Sequence, residues 1–198
     1  EMTDAESLLE QALRYRKYWG RDGKKGGITV SGGEPMLQMP FVTELFELAH
    51  RKGVHTTLDT AGQPYREDAE YQKAFERMMA ATDLVMLDLK AMDAQLHRRV
   101  TGLDNANILA MARKLSDMGK PMWIRHVLVP GLTDGEDDLR QMAAFIQTLQ
   151  TVERVEILPY HTLGLSKWQR LGIDYPLEGV PTPTKEQVAK AEAILKGK

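Results

Sequence analysis

Apolar residues follow two different spacings along this chain. Short continuous apolar runs are typical of strands buried on both faces, and longer stretches with apolar residues every three or four positions are typical of amphipathic helices. Short runs that are mostly apolar, some of them interrupted by polar residues, predict strands at 28–30, 54–58, 84–87, 122–129 and 155–158. The longer stretches predict helices at 5–19, 38–52, 66–81, 93–99, 105–118, 135–149 and 185–195.

Capping residues mark several of the predicted helix ends. Thr3 begins a Thr-Asp-Ala-Glu capping box and is the expected N-cap of the first helix. Thr133 or Asp134 is expected to cap the sixth helix, and Thr184 the last one. Residues 20–27 are a polar, glycine-rich connection, and the tail before Thr184 is predicted to be irregular.

The strict alternation of strands and helices predicts an α/β fold, in which helices wrap a parallel sheet. Five predicted strands are fewer than the eight of a closed (β/α)8 barrel. The pattern alone leaves an open doubly wound sheet and a partial barrel equally open. No linker or low-complexity stretch interrupts the alternation, so we expect one domain over residues 1–198.

Composition and charge narrow the class of protein. The 198 residues are 42% hydrophobic and 27% charged, as in a soluble globular protein. A net charge of -2 argues against an electrostatic nucleic-acid binder, and no apolar run approaches the roughly 20 residues of a membrane span. The chain contains no cysteine, which excludes disulfides, a thiolate nucleophile and a thiolate metal site within it.

The first predicted strand ends in the sequence Val30-Ser31-Gly32-Gly33-Glu34-Pro35. Two consecutive glycines let backbone N–H groups approach a ligand closely, and Glu34 adds a carboxylate at the same place. A tight strand-to-helix turn would explain the same residues without a ligand.

The other predicted strands also end in polar residues, and this favours a ligand site. Ligands of parallel α/β folds bind beyond the carboxyl ends of the strands. The residues at those ends are Gly32-Gly33-Glu34, Asp59-Thr60, Asp88 with Lys90, Arg125-His126 and Tyr160-His161. Five polar ends on one rim are better explained by a site than by five separate helix caps.

The charges at these ends indicate the chemistry of the ligand. Glu34, Asp59 and Asp88 would repel one another unless a cation lay between them, so they could hold an ammonium group, a ribose diol or a metal ion. Lys90 lies on the same side of its strand as Asp88 and suits a ligand carboxylate, although the two could also form a structural ion pair. A zwitterionic ligand with a sugar satisfies all of these groups.

The five histidines are assigned different roles. His55 and His126 are interpreted as scaffold residues, and His50 and His97 as solvated positions on helices. His161 lies at the rim and is the histidine expected to contact a ligand.

The sequence resembles the glycyl-radical activating enzymes of the radical S-adenosylmethionine superfamily, and within them the activases of pyruvate formate-lyase. The Gly-Gly-Glu element marks the superfamily, and the Asp-Leu-Lys and Leu-Pro-Tyr-His elements together mark this activase. The resemblance runs along nearly all of the chain and rests on Ser31-Gly32-Gly33-Glu34-Pro35, residues 55–60, residues 83–90, Trp123-Ile124-Arg125 and Leu158-Pro159-Tyr160-His161.

The resemblance implies a partial (β/α)6 barrel and a specific set of binding residues. The methionine amino group of S-adenosylmethionine would bind at Gly32, Gly33 and Glu34. The cofactor site would be completed by Asp88, Leu89, Lys90 and His161. A monovalent cation beside the cofactor carboxylate would be held by Asp59, Thr60, Met86 and Asp88. Arg125 would hold the glycine-bearing loop of the partner.

The chemistry implied by the resemblance is reductive cleavage of S-adenosylmethionine by a [4Fe–4S] cluster. The resulting 5′-deoxyadenosyl radical would abstract hydrogen from a backbone glycine of pyruvate formate-lyase. The resemblance further implies a monomeric cytoplasmic enzyme of anaerobic metabolism that receives electrons from a donor such as flavodoxin or ferredoxin.

One departure from the family is large. The Cys-x3-Cys-x2-Cys loop that binds the cluster is missing, so no residue of this chain is assigned a catalytic role. We expect a truncated enzyme whose first strand and cluster loop lie upstream, and a chain that does not perform radical chemistry by itself. The alternatives are an activase for another glycyl-radical enzyme and a cluster-free barrel that binds an amino-acid or nucleotide-like ligand.

Overall fold

The computed structural model describes residues 3–19 and 26–197, and it contains all five predicted strands. They lie in one parallel sheet in chain order. This order lacks the reversal that defines a doubly wound sheet, and it agrees with the partial barrel. The strands are β1 (Gly27–Val30), β2 (His55–Thr60), β3 (Leu84–Asp88), β4 (Met122–Leu128) and β5 (Val152–Pro159).

Seven of the helices in the described ranges were expected from the sequence, and one was not. They are α1 (Ala5–Leu13), α2 (Met39–Arg51), α3 (Ala69–Ala80), α4 (Ala94–Thr101), α5 (Ala106–Asp117), α6 (Glu136–Gln147), α7 (Leu165–Leu171) and α8 (Lys185–Leu195). The tail before Thr184 was predicted to be irregular, and α7 corrects that prediction. The first helix is also shorter than predicted, and a short 3-10 turn, Arg16–Tyr18, follows it. Most of the predicted 20–27 connection lies outside the described residues.

Two of the predicted N-caps are wrong. The cap of α1 is Asp4, whose carboxylate accepts a hydrogen bond of 2.8 Å from the Ser7 amide; a carboxylate at this position also suits the helix dipole. The cap of α6 is Gly135, because the Thr133 and Asp134 side chains are used by the preceding turn. Thr184 caps α8 in a capping box with Gln187, as the sequence predicts.

The chain divides into two compact units, which are described separately. The first comprises Glu1–Leu87, Asn107–Trp123 and Gln150–Glu153. Its core contains fully buried side chains from strands and helices, among them Phe46, Leu58, Phe75, Val85 and Met111. β1 and β2 pair with Val30 opposite Leu58, and β2 and β3 with Asp59 opposite Met86. These registers fix the positions of the polar residues that end β1 and β2.

The second unit comprises Asp88–Ala106, Ile124–Leu149 and Arg154–Lys198. Its buried side chains include Ile124, Leu128, Leu139, Met142 and Leu195. Within the described ranges of the chain, no helix is long and apolar enough to cross a membrane.

Candidate functional site

The two glycines after β1 adopt backbone conformations that only glycine takes easily. Gly32 has φ +89° and Gly33 has φ +53°. A Cβ at either position would meet no atom within 4 Å. The requirement for glycine is therefore conformational at both positions, and the turn leaves their backbone open to the surface.

The Glu34 carboxylate ties the end of β1 to the end of β2. Its Oε1 accepts hydrogen bonds from the Thr60 hydroxyl at 2.6 Å and the Met36 amide at 3.1 Å, and its Oε2 accepts one from the Ala61 amide at 2.9 Å. A carboxylate has about four acceptor positions. These contacts use three of them, and the remaining position on Oε2 suits a ligand donor.

Thr60 and Tyr71 both lie near Glu34, but the Thr60 hydroxyl is hydrogen-bonded and the Tyr71 hydroxyl, among the described residues, is not. The Thr60 hydroxyl donates to Glu34 and accepts from the Gly62 amide at 2.9 Å, so it organises the turn after β2. The Tyr71 hydroxyl is buried and has no hydrogen-bond partner in the described part of the chain. Burial raises the pKa of Tyr71; Arg66 opposes this rise and the Glu34 charge adds to it. The sequence pattern gave no signal for Tyr71.

Asp59 and Met86 are register partners on adjacent strands. Both are half-buried, whereas Thr60 is buried. Within residues 3–19 and 26–197, no group of three or more His, Cys, Asp or Glu side chains is arranged to hold a metal ion. Carboxylate, hydroxyl, thioether and carbonyl groups are the donors available near this strand pair.

In the second unit, Asp88 lies between two cations. Its Oδ2 is 2.6 Å from Lys90 Nζ, and its Oδ1 is 2.8 Å from an Arg125 Nη and 3.0 Å from Arg125 Nε. The three side chains are 17%, 26% and 16% exposed. The Asp88–Lys90 contact is the ion pair that the sequence left open beside a ligand contact, although Lys90 lies just beyond the end of β3. The contact of Arg125 with Asp88 was not predicted.

His161 follows β5 and is exposed. Its Nδ1 accepts a hydrogen bond of 3.4 Å from the Leu163 amide, so Nε2 carries the ring proton and can donate to a ligand. The preceding Tyr160 is buried and shares a 2.7 Å hydrogen bond with Tyr175. This bond, with burial, raises the pKa of Tyr160 to about 12.

Comparison with known proteins assigns the family. Residues 3–146 match the model of the Radical SAM superfamily. The pyruvate formate-lyase-activating enzyme of Streptococcus mutans serotype c is 52% identical over 191 residues, which are 96% of this chain and 72% of that protein. The chain belongs to the pyruvate formate-lyase-activating enzymes of the radical SAM superfamily.

Two further comparisons agree with this assignment. The activating enzyme of Staphylococcus aureus is 49% identical over 186 residues, 94% of this chain and 73% of that protein. The crystal structure of a domain of the pyruvate-formate lyase-activating enzyme of Bacteroides vulgatus covers 87% of this chain and 94% of its own, with a TM-score of 0.71 and 25% identity. The predicted α/β fold and radical SAM membership are therefore confirmed.

The histidines of this activating-enzyme chain do not all lie where the sequence predicts. His126 is fully buried between two carbonyl groups, which agrees with a scaffold role. His50 is exposed and bonds Asp83, and His55 is exposed at the start of β2. The prediction of a solvated His97 is wrong: the residue is 1% exposed, and its Nδ1 contacts the Leu103 carbonyl at 2.9 Å.

Proposed function

We propose that this protein activates pyruvate formate-lyase by generating a glycyl radical on it, through reductive cleavage of S-adenosylmethionine with a [4Fe–4S] cluster. The observation that carries the proposal is the 52% identity, over 96% of the chain, to a protein named as a pyruvate formate-lyase-activating enzyme. An electron donor such as flavodoxin or ferredoxin, a monomeric state and a cytoplasmic location belong to the same proposal.

The residues of this chain fit the cofactor but not the cluster. With no cysteine among its 198 residues, the chain supplies no thiolate ligand for iron. S-adenosylmethionine, when bound to a reduced cluster, supplies the oxidising radical equivalent of the reaction. The contribution of these 198 residues is therefore to bind and orient the cofactor and the glycine-bearing loop.

The polar groups at the strand ends match the functional groups of S-adenosylmethionine. Glu34 has an acceptor position left on Oε2, and with the open backbone of Gly32 and Gly33 it suits the methionine ammonium group. Lys90 and the His161 Nε2–H are donors that suit a carboxylate or a hydroxyl. The remaining proposed cofactor-binding residues are Asp88, which orients Lys90, and the adjacent Leu89.

A monovalent cation is part of the same proposal, and it would be held by Asp59, Thr60, Met86 and Asp88. Carboxylates gathered beside the carboxylate of a ligand need a positive charge to offset their repulsion. The oxygen donors of this set suit a hard cation better than a soft one.

Arg125 is proposed to hold the glycine-bearing loop of pyruvate formate-lyase. A guanidinium carries five N–H donors in a planar fork, and the contacts with Asp88 involve its Nε and one Nη. Peptide carbonyl groups of a loop are acceptors that match such a fork. The ion pair with Asp88 would hold Arg125 in place before the loop arrives.

Calorimetric titration of the complete, anaerobically reconstituted protein with S-adenosylmethionine tests the assignment. Asp88→Asn and Lys90→Ala should each raise the dissociation constant clearly, because they remove charges that contact or orient the cofactor. Lys73→Ala, at an exposed position of α3, is the matched control and should bind like the wild type. Wild-type affinity in both site variants would show that the cofactor site is assigned to the wrong residues.

A further inference from the structure

The segment that follows β3 is irregular in conformation but partly buried. Residues 89–93 belong to neither a strand nor a helix, yet Leu89 and Ala91 are each only 2% exposed. Backbone N–H and C=O groups in such a segment need partners outside a helix or sheet ladder. The Leu89 amide has one, since it donates a 2.9 Å hydrogen bond to the Arg125 carbonyl.

Three buried side chains supply partners for this backbone; we call them the clamp, and they are Asn105, His126 and Asp138. The Asn105 amide group donates to the Ala91 carbonyl at 3.1 Å and to the Met92 carbonyl at 2.8 Å. His126 Nδ1 lies 2.9 Å from the Leu89 carbonyl and can donate to it. Each clamp residue therefore fixes a backbone group directly beside Lys90 or within three residues of it.

Asp138 makes the shortest of these contacts. One carboxylate oxygen accepts from the Asp93 amide at 2.7 Å, and both oxygens lie 3.0–3.1 Å from the Met92 amide. The side chain is in the first turn of α6, where the helix dipole favours a negative charge, and the residue is 7% exposed. The adjacent Asp137 lies on the same turn but is exposed.

The clamp acts on the segment that carries two proposed cofactor-binding residues. Leu89 and Ala91 are anchored in the interior, whereas Asp88 and Lys90 alternate with them and remain half-buried. The direction of the Lys90 side chain therefore depends on the backbone path that the clamp fixes.

We propose that Asp138, together with Asn105 and His126, is a positioning residue for the cofactor site, and that it acts through the backbone of residues 89–93 on Lys90 and Asp88. The inference rests on the proposed function, because it assigns a role only if Lys90 and Asp88 bind S-adenosylmethionine. Asp138 itself does not touch the cofactor.

The test compares Asp138→Asn with its neighbour Asp137→Asn in the complete reconstituted protein. Asn keeps the size of the side chain but turns an N–H group toward the Met92 and Asp93 amides, so at least one charge-assisted hydrogen bond is lost. We expect the dissociation constant for S-adenosylmethionine to rise roughly tenfold in Asp138→Asn, and to remain unchanged in Asp137→Asn. Asp138→Glu, which restores the carboxylate, should recover part of the affinity.

A double-mutant cycle with Lys90→Ala separates positioning from a purely structural role. If Asp138 acts through Lys90, Asp138→Asn should weaken binding far less in the Lys90→Ala background than in the wild type. Equal effects in both backgrounds would overturn the inference. So would a lower melting temperature with unchanged cofactor affinity. If Asp138→Asn does not fold, Asn105→Ala takes its place in the same cycle, because it removes the donors to the Ala91 and Met92 carbonyls.

The same variants distinguish a wrong assignment of the clamp from a wrong assignment of the cofactor site. Wild-type affinity in both Asp88→Asn and Lys90→Ala would reject the cofactor site itself. Weak binding in Lys90→Ala with wild-type affinity in the Asp138 and Asn105 variants would reject the clamp alone.

Discussion

Replacing Asp88 by Asn should destabilise the protein even without any ligand. The substitution keeps the shape of the side chain but removes the negative charge that contacts Lys90 at 2.6 Å and Arg125 at 2.8 and 3.0 Å. Two cations then lie close together without the carboxylate that separates them. Their mutual repulsion and poorer solvation should lower the free energy of unfolding.

The exposure of the three side chains sets the size of the effect. Breaking a fully buried ion pair costs about 3–5 kcal/mol, and losing an exposed pair costs about 0–1 kcal/mol. Asp88, at 17% exposure, lies between these limits. We expect a loss of about 1–3 kcal/mol, and about 2–4 °C of melting temperature for each kcal/mol in a protein of this length.

Glu136 offers a matched control on the same unit. It also contacts two cations, Arg140 and Lys190, but it is 40% exposed and they are each 63% exposed. Glu136→Gln should cost far less stability than Asp88→Asn and should lose even that effect at high salt, because exposed pairs are screened. Urea denaturation of the wild type, Asp88→Asn and Glu136→Gln at two salt concentrations measures the loss of stability and its dependence on salt. Equal stability of Asp88→Asn and wild type, or an equal loss in Glu136→Gln, would show that the Asp88 carboxylate does not stabilise the pair of cations.

Three further predictions concern other parts of the chain. Thr60→Val removes the hydroxyl that donates to Glu34 and should cost about 1–2 kcal/mol of stability in denaturant unfolding. The same variant should lose several-fold affinity for S-adenosylmethionine in a titration. Unchanged stability and affinity would show that the Thr60–Glu34 hydrogen bond is not important. Arg125→Ala should slow glycyl-radical formation more than it weakens cofactor binding, measured by electron paramagnetic resonance and calorimetry, and equal losses would place Arg125 in the cofactor site instead. Burial would raise the pKa of Asp83, but the hydrogen bond from the Thr56 amide helps to hold it below 3.8. The ionised form of Asp83 therefore stabilises the fold above that value, and this contribution disappears as the pH falls through the lowered pKa. Asp83→Asn should for this reason cost more stability at pH 6 than at pH 3.

The sheet was predictable because its signal is local. β3 is a short apolar run that ends at a carboxylate, and β4 is mostly apolar, so both were found within one residue of their ends. α7 was missed because seven residues are too few to make a helix by periodicity or to stabilise one alone. α7 packs outside its own turns through the ring contact of Trp168 with Tyr175, whose hydroxyl in turn shares a hydrogen bond with Tyr160.

The candidate site was predictable only where its residues follow from strand alternation. Asp88 and Lys90 are two positions apart on one chain segment, so their contact needs no knowledge of the partner strands. The contact of Arg125 with Asp88 joins residues 37 positions apart, and the sequence offers no register for it. A position on a helix gives no sign that His97 is buried, yet the turn at Gly102 (φ +81°) brings the Leu103 carbonyl back to its ring.

The proposed function is tested most directly by looking for the radical on pyruvate formate-lyase. The complete protein, reconstituted anaerobically, is incubated with S-adenosylmethionine, a reductant and pyruvate formate-lyase, and the products are examined by electron paramagnetic resonance and chromatography. We expect a glycyl-radical signal on pyruvate formate-lyase and matching formation of 5′-deoxyadenosine. Absence of that signal, with a glycyl radical formed instead on a different glycyl-radical enzyme under the same conditions, would contradict the proposed function.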